Sequence, residues 1–439
     1  MLSIAVIVGT RPEIIKIAPI ILEAEVRGVE LTLIHTGQHY DSEMSEQIFN
    51  SLNLPNPTRN LHLESNIPHM QLAEMIRELG EELNEIKPNI VLAVGDTISV
   101  LASCLASVQN KIPFGHVEAG LRSYDNTMPE EINRKIVDSV SSILFAPSQR
   151  AVLNLLHEGL EPSRIFFTGN TIVDAIKIFD ETTWENKTKQ ADEILNEVRE
   201  KFIICTIHRE SNVENKDKLT EILSALKKIQ NKPLVFLLHP RTAKKIKEHG
   251  LEDTLKQIDK LLVYSPIDYL SMMKLMSHEN CKLILTDSGG LQEEASIVGK
   301  PCVTIRPNTE RPETVEHGIN FLVETDSDLI VKKINYVLAI ESFQTKFESF
   351  SNTYGDGFAS TKILDIIEEQ LENLDYESPE LFDHGSKSFF LIEIKANTNK
   401  SLIEENFHCQ ITMVYNERGQ PIPIPEELKK GYRIRVTIK

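Results

Sequence analysis

The feature that most constrains this chain is its rhythm. Short apolar, β-branched runs alternate with segments whose apolar residues recur at helical spacing. The first is Ile4 to Val8, followed by a helix from Glu13, a strand at Leu31 to His35, and a helix carrying Leu72, Met75, Ile76, Leu79 and Leu83. Alternation of this kind predicts parallel strands joined by crossover helices. It continues at Ile90 to Val94, Ile112 to His116, Ile143 to Phe145 and Ile165 to Thr168, each apolar throughout, as strands covered on both faces require. A first doubly wound domain therefore closes near residue 170. The charged stretch Asp180 to Glu193, with the single tryptophan Trp184, reads as a linker. The rhythm then restarts at Phe202 to Thr206, Leu234 to Leu238, Leu261 to Tyr264, Leu283 to Thr286, Cys302 to Ile305 and Phe321 to Val323. A last helical pattern runs from Phe358 to about Leu374.

Beyond Leu374 the character changes. An acidic segment gives way to strict alternation at Phe407, Cys409, Ile411, Met413 and Tyr415, and again at Tyr432, Ile434, Val436 and Ile438, which predicts a small antiparallel β-module. Pro421, Pro423 and Pro425 exclude a central strand between these runs and suggest a rigid turn. The expected architecture is α/β: two Rossmann-like domains facing a cleft, at 1–170 with the helix 358–374, and at 171–357, plus a β-rich extension at 375–439.

Composition narrows the function. With 47 Lys+Arg against 65 Asp+Glu the net charge is −18, which argues against nucleic acid and anionic membranes as partners. No apolar run approaches the roughly 20 residues of a spanning helix, and no basic leader precedes Ile4, so a soluble cytoplasmic protein is expected. Five scattered cysteines without a CxxC pair fit reduced thiols.

In doubly wound folds the chemistry collects just after the strands, and three groups of residues stand there. Gly9-Thr10-Arg11-Pro12-Glu13 follows the first strand, with Lys16 one turn on, so backbone donors, Arg11 and Lys16 would converge on an anion at a helix N-terminus. Ser288-Gly289-Gly290 follows the run ending at Thr286, where glycines let amides approach phosphate oxygens. Glu294, one turn inside, would repel phosphate and suits sugar hydroxyls such as a ribose diol, while Arg311 offers a cation. Two anion-suited loops, one per domain, point to one diphosphate bridging the cleft. The third group comprises Asp96, Glu118, Glu130 and His208, whose side chains can move protons when gathered in a partly dry cleft. Each of them is also explicable as a cap or a solvated charge, Asp96 as a helix cap above all, and Arg122 and Arg134 could pair with the acids. No HExxH, paired-cysteine or GxSxG motif occurs, so a metal site or a serine nucleophile has no support.

Taken together, GTRPEIIK at 9–16, TGQHYD at 36–41, GDT at 95–97, HVEAGLRS at 116–123, PEEINR at 129–134, TGNTIVDA at 168–175, HRES at 208–211, LTDSGGLQEEA at 285–295, TERPE at 309–313 and YGDG at 354–357 resemble the UDP-N-acetylglucosamine 2-epimerase family, in its archaeal-type, non-hydrolysing form. The resemblance covers about 1–374 and implies a glycosyltransferase-B-like fold whose last helix crosses back to the first domain. It implies reversible inversion at C2 of UDP-N-acetylglucosamine to UDP-N-acetylmannosamine, through elimination of UDP to 2-acetamidoglucal, with no redox cofactor or metal. It also implies a homodimer. By the same resemblance Arg11, Lys16, Arg134, Ser288, Gly289, Gly290, Glu294 and Arg311 match substrate-binding positions. Asp96, Glu118, Glu130 and His208 match the catalytic or substrate-contacting set; the expected division gives Asp96 and Glu118 the protons at the two faces of C2, Glu130 a hydroxyl to assist or hold, and His208 the departing diphosphate, while which acid serves which face stays open. Three segments depart from relatives: Gln38-His39-Tyr40 where bacterial members with an allosteric site read Gln-His-Arg, Pro266-Ile267-Asp268-Tyr269 with Met272 on the uracil side, and the tail 375–439, which is outside the family pattern. The alternatives are a hydrolysing epimerase giving ManNAc and UDP, an epimerase for another UDP-N-acetylamino sugar, a glycosyltransferase of the same fold, and a catalytically silent nucleotide-sugar sensor.

Overall fold

The computed structural model describes residues 2–38, 48–65, 67–178, 187–229 and 232–370, and in the tail 389–393, 398–401, 409–415, 421–422, 424–430 and 432–438. The first sheet holds β1 (Ser3–Val8), β2 (Glu30–His35), β3 (Arg59–Asn60), β4 (Ile90–Val94), β5 (Phe114–Val117), β6 (Ile143–Ala146) and β7 (Ile165–Phe167) in the order β3-β2-β1-β4-β5-β6-β7, every pair parallel. The second holds β8 (Phe202–Thr206), β9 (Leu234–Leu237), β10 (Leu261–Tyr264), β11 (Cys281–Thr286), β12 (Cys302–Ile305) and β13 (Asn320–Val323) in the order β10-β9-β8-β11-β12-β13, again all parallel.

The continuous apolar runs have a direct structural cause. Successive side chains of a strand point to opposite faces, and both faces of these sheets are covered. Ile4, Val6 and Val8 of β1 join one core cluster while Ala5 and Ile7 join another, and β4 divides in the same way, with Ile90, Leu92 and Val94 on one side and Val91 and Ala93 on the other. In the second sheet Phe202 and Ile204 of β8 separate from Ile203 and Cys205. The outermost strand β7 is the exception: its Phe167 is exposed. The two-residue polar strand β3 carries no apolar run and escapes a pattern search.

Strand order reverses direction between β1 and β4 and again between β8 and β11, and such switch points open the crevice at the carboxyl ends of the strands. Gly9, Asp96 and Glu118 sit at the first, and His208 and Ser288 at the second. The final helix is Ala359–Gln370, and residues 371–374 lie outside the described residues. Its Ile363, Leu364 and Ile367 pack into the core that contains Ile14, Ile17 and Ile21 of helix Arg11–Arg27, and Arg27 pairs with Asp365 at 2.7 Å. Asp174 caps it from another helix, accepting the Ala359 amide at 3.1 Å and the Ser360 amide at 2.8 Å.

The end of the stretch read as a linker forms the start of helix Lys189–Glu197, whose Ala191 and Ile194 are buried; Trp184 lies outside the described residues. In the tail, β14 (Phe389–Glu393), β16 (Cys409–Tyr415), β17 (Pro421–Ile422) and β19 (Arg433–Ile438) form an antiparallel sheet in the order β14-β19-β16-β17, beside the short pair β15 (Thr398–Asn399) and β18 (Glu427–Leu428). Pro421, expected in a turn, stands instead on the edge strand, a position that tolerates a residue without a backbone donor. Phe407 and Pro423 lie outside the described residues. Among the described residues no helix is long and apolar enough to cross a membrane.

Candidate active site between the two sheets

Helix Arg11–Arg27 begins directly after β1, and its first turn behaves differently from the expectation of a free anion site. The buried carboxylate of Glu13 accepts the amides of Gly9 at 2.6 Å and Thr10 at 3.0 Å, and the hydroxyl of Thr97 at 2.5 Å. The donors expected to meet a phosphate are thus taken by the chain's own capping acid, as a Thr-x-x-Glu spacing allows. Burial raises the pKa of Glu13 to about 7 against these hydrogen bonds. Gly9 is required here for space, since a Cβ would stand 2.0 Å from the Ser99 hydroxyl. Arg11 crosses to the second sheet and donates to the Ile267 carbonyl at 3.2 Å.

Lys16 turns inward. Its ammonium contacts both oxygens of Glu118, at 2.6 and 2.7 Å, and lies 3.6 Å from Glu293 of helix Gly289–Ile297. Arg311 pairs with Glu293 at 3.1 Å and lies 4.0 Å from Glu118. Asn170 donates to Glu118 at 3.1 Å and to Glu293 at 2.5 Å. Two cations and two carboxylates from both sheets thus form one buried cluster. Burial alone would raise the pKa of Glu118; Lys16 and Arg311 reverse this and hold it below the ordinary carboxylate value. Glu118 is therefore ionised, not proton-bearing as burial by itself would make it. Its backbone sits at φ 70°, a left-handed conformation that costs a non-glycine residue roughly 1–2 kcal/mol. The neighbouring turn is also left-handed, at Gly95 with φ 94°, where a Cβ would lie 3.9 Å from the Glu118 carboxylate.

Asp96 follows Gly95. It does not cap helix Ile98–Gln109; Thr97 does, accepting from the Ser99 amide at 3.1 Å. The carboxylate of Asp96, one-third exposed, meets Arg134 at 2.9 Å, and its carbonyl accepts from Asn133 at 2.9 Å. Both partners come from helix Pro129–Val140. Its Glu131 is fully buried and takes the amides of Ser123 and Tyr124, each at 2.9 Å, together with Arg134. Glu130, one residue earlier, is exposed, and its charge acts on Arg209 of the second sheet. Arg122 pairs with Asp138 and Glu158 rather than with the acids of the cleft.

In the second sheet Asp287, fully buried at the end of β11, accepts the amides of His208 and Arg209, each at 3.0 Å, and the Asn212 side chain at 3.0 Å. This fixes His208 with its ring partly exposed and 3.3 Å from Asp287. Burial lowers the pKa of His208, against the pull of Asp287. Ser288 caps helix Gly289–Ile297 through the Leu291 amide at 3.4 Å. Gly289 has the Glu310 carboxylate 2.3 Å from the position of a Cβ, whereas Gly290 faces open space. Close approach by an outside group is therefore possible at Gly290, while Gly289 is a packing requirement. Glu294 is half-buried, makes no hydrogen bond or ion pair among the described residues, and is pushed by burial to a pKa of about 8. On the uracil-side segment Tyr269 is buried and Asp268 caps helix Tyr269–Ser277. His39 and Tyr40 lie outside the described residues.

All twelve residues singled out from sequence thus lie at the carboxyl ends of the two sheets or on the helices that follow. Sequence reasoning missed Glu13, Asn133 and Asn170 and undervalued Glu293. Only Glu13 left a local signal, its capping spacing.

Two doubly wound sheets with acids and cations interleaved at their facing strand ends define a protein of the glycosyltransferase-B-like class. The sequence matches the family described as UDP-N-acetylglucosamine 2-epimerase over residues 23–368. The chain belongs to that family. It is 42% identical over 373 residues to the UDP-N-acetylglucosamine 2-epimerase of Methanocaldococcus jannaschii, covering 83% of this chain and 99% of that one. It is 37% identical over 372 residues to the UDP-2,3-diacetamido-2,3-dideoxy-D-glucuronate 2-epimerase of Pseudomonas aeruginosa, covering 83% and 99%. Among solved structures, the M. jannaschii epimerase in complex with UDP-GlcNAc and UDP superposes with a TM-score of 0.75 at 41% identity, covering 84% of this chain and all of that one.

Proposed function

We propose that the chain interconverts UDP-N-acetylglucosamine and UDP-N-acetylmannosamine by eliminating UDP to 2-acetamidoglucal and adding it back. The observation that carries this reading is the placement of two carboxylates, Glu118 and Asp96, after adjacent strands β5 and β4 and each against a cation. The C2 proton is weakly acidic, so a base must act while the C1–O bond breaks. A carboxylate takes the proton, the C2–H pair becomes the C1=C2 bond, and the C1–O pair leaves with the diphosphate. Return of UDP with a proton delivered to the other face completes the inversion. Two carboxylates are what two faces require, and cations at the cleft stabilise charge on the leaving group as it develops.

In this reading Asp96 and Glu118 transfer the protons, Glu130 holds a sugar hydroxyl opposite Arg209, and Arg134 keeps Asp96 in place. His208, Arg11, Lys16, Arg311 and the Ser288-Gly289-Gly290 turn attend the diphosphate. Lys16 and Arg311 then exchange part of their pairing with Glu118 and Glu293 for phosphate oxygens. Glu294 receives the ribose diol. The M. jannaschii relative, solved with UDP-GlcNAc and UDP, supports the substrate class. The functional units are residues 1–170 with the final helix, and 171–357, working in the cytoplasm as a homodimer; light scattering on the purified chain tests the last point.

Proton NMR of the protein with UDP-GlcNAc tests the reaction. An equilibrium mixture of UDP-GlcNAc and UDP-ManNAc supports the reversible enzyme. Free ManNAc with UDP makes it the hydrolysing type, and an unchanged spectrum transfers the assignment to another UDP-sugar.

A further inference from the structure

Three buried residues bonded to the turns that carry the proposed proton-transfer carboxylates, Asp138, His116 and Arg122, take no part in the steps above. Asp138, on helix Pro129–Val140 and fully buried, accepts the Gly120 amide at 3.0 Å and Arg122 at 2.7 Å, and stands 2.6 Å from Nδ1 of His116. The other ring nitrogen of His116 is 2.8 Å from the Gly95 carbonyl oxygen. A carbonyl only accepts, so Nε2 carries a proton. Burial opposes ionisation of Asp138, but His116 and Arg122 beside it keep its pKa below the usual value. Arg122 continues to Glu158 with bonds of 2.7 and 2.6 Å.

The contacts of these residues fall on two turns. Gly95, held through His116, precedes Asp96; Gly120, held directly, is two residues past Glu118. Gly95, Glu118 and Gly120 adopt φ values of 94°, 70° and 84°; glycine takes such angles freely, whereas at Glu118 the conformation persists only because its surroundings hold it. From the same helix, Asn133 and Arg134 bind Asp96 itself. One helix therefore holds both carboxylate-bearing turns by separate bonds.

We propose that Asp138, acting through His116 and the Gly120 amide, is a positioning residue that sets the two turns, and with them the Asp96 and Glu118 carboxylates, at the separation needed on either side of C2. This rests on the epimerase reading. Displacing a reacting group by about 1 Å costs on the order of 100-fold in rate without a matching loss of binding, and that split separates positioning from general support.

The test compares the full-length wild type with Asp138→Asn, His116→Gln and His116→Phe, measuring kcat, KM for UDP-GlcNAc, UDP affinity, and amide hydrogen exchange in peptides spanning 94–97 and 117–122. For D138N we expect kcat to fall about 100-fold while KM and UDP affinity stay within about threefold. Exchange should rise in those two peptides and remain unchanged in β8 to β13. H116Q, whose amide still donates to the Gly95 carbonyl, should keep more activity than H116F. If D138N does not fold, the H116Q and H116F pair decides. Wild-type kcat in D138N overturns the proposal, as does a loss of rate matched by equal weakening of UDP binding and exchange rising across the whole protein. If the wild type itself leaves UDP-GlcNAc unchanged, the epimerase reading fails, and unaltered exchange at 94–97 and 117–122 in the variants still overturns the clamp.

Discussion

At the scale of single residues the two glutamates Glu118 and Glu294 sit in opposite electrostatic states, and each state has a consequence. Glu118 is ionised against Lys16 and Arg311. Replacing it with Gln removes one of the two proposed bases and leaves both cations with less competition, so E118Q should lose about 10²- to 10⁴-fold in kcat while binding UDP at least as tightly as the wild type. Steady-state kinetics with UDP calorimetry checks this, and weaker UDP binding would contradict it. Glu294 has burial without a partner, which raises its pKa from an ordinary value of 4.5 to about 8. The folded chain then keeps a proton that the unfolded chain releases, so the contribution of Glu294 to stability falls as pH rises between about 4.5 and 8 and is level above that. E294Q removes this decline. Its thermal midpoint should match the wild type near the bottom of the window and exceed it at the top, and parallel pH curves for the two proteins would exclude this account of Glu294.

At the scale of elements, what could be read from sequence depended on whether a signal was local. Interior strands were legible because both of their faces are covered and their residues are apolar throughout, as β1, β4 and β8 show. The strand β3 was not, being two polar residues at an edge, and the helix at 189–197 was hidden in a charged stretch because only Ala191 and Ile194 face inward. That the candidate acids stand just after strands was legible. Their pairings were not: Lys16 and Glu118 are 102 residues apart, and Asn170 and Glu293 are 123 apart, so no spacing rule connects them. The same distance dependence governs the last helix, whose first turn is capped by Asp174 from 185 residues away. Asp174→Ala should destabilise the protein by roughly 0.5–2 kcal/mol and raise amide exchange in 359–370, leaving kcat/KM unchanged. Urea unfolding with exchange mass spectrometry measures both effects.

At the scale of the whole molecule the site exists only where the two sheets meet. Arg11 reaches Ile267, Lys16 reaches Glu293, and Arg311 reaches Glu118, so each half supplies charges to the other. A ligand bound across this junction stabilises both halves together. UDP at about 100 times its Kd should add about 2.7 kcal/mol to the unfolding free energy, and a single cooperative transition should shift upward rather than split. Differential scanning calorimetry reads that directly. The family match ends at residue 368, and every residue assigned to the site precedes it. A chain ending at residue 374 should therefore retain wild-type kcat/KM, and loss of activity with an intact fold would give the β-rich extension a part in the site.

The central claim is that the C2 proton leaves to a protein carboxylate and a proton returns to the opposite face. UDP-GlcNAc incubated with the enzyme in deuterium oxide tests it most directly, with the C2 position of both sugars followed by NMR and mass spectrometry. The account predicts UDP-ManNAc carrying deuterium at C2 from the first turnovers. UDP-ManNAc formed with its original C2 hydrogen would contradict it.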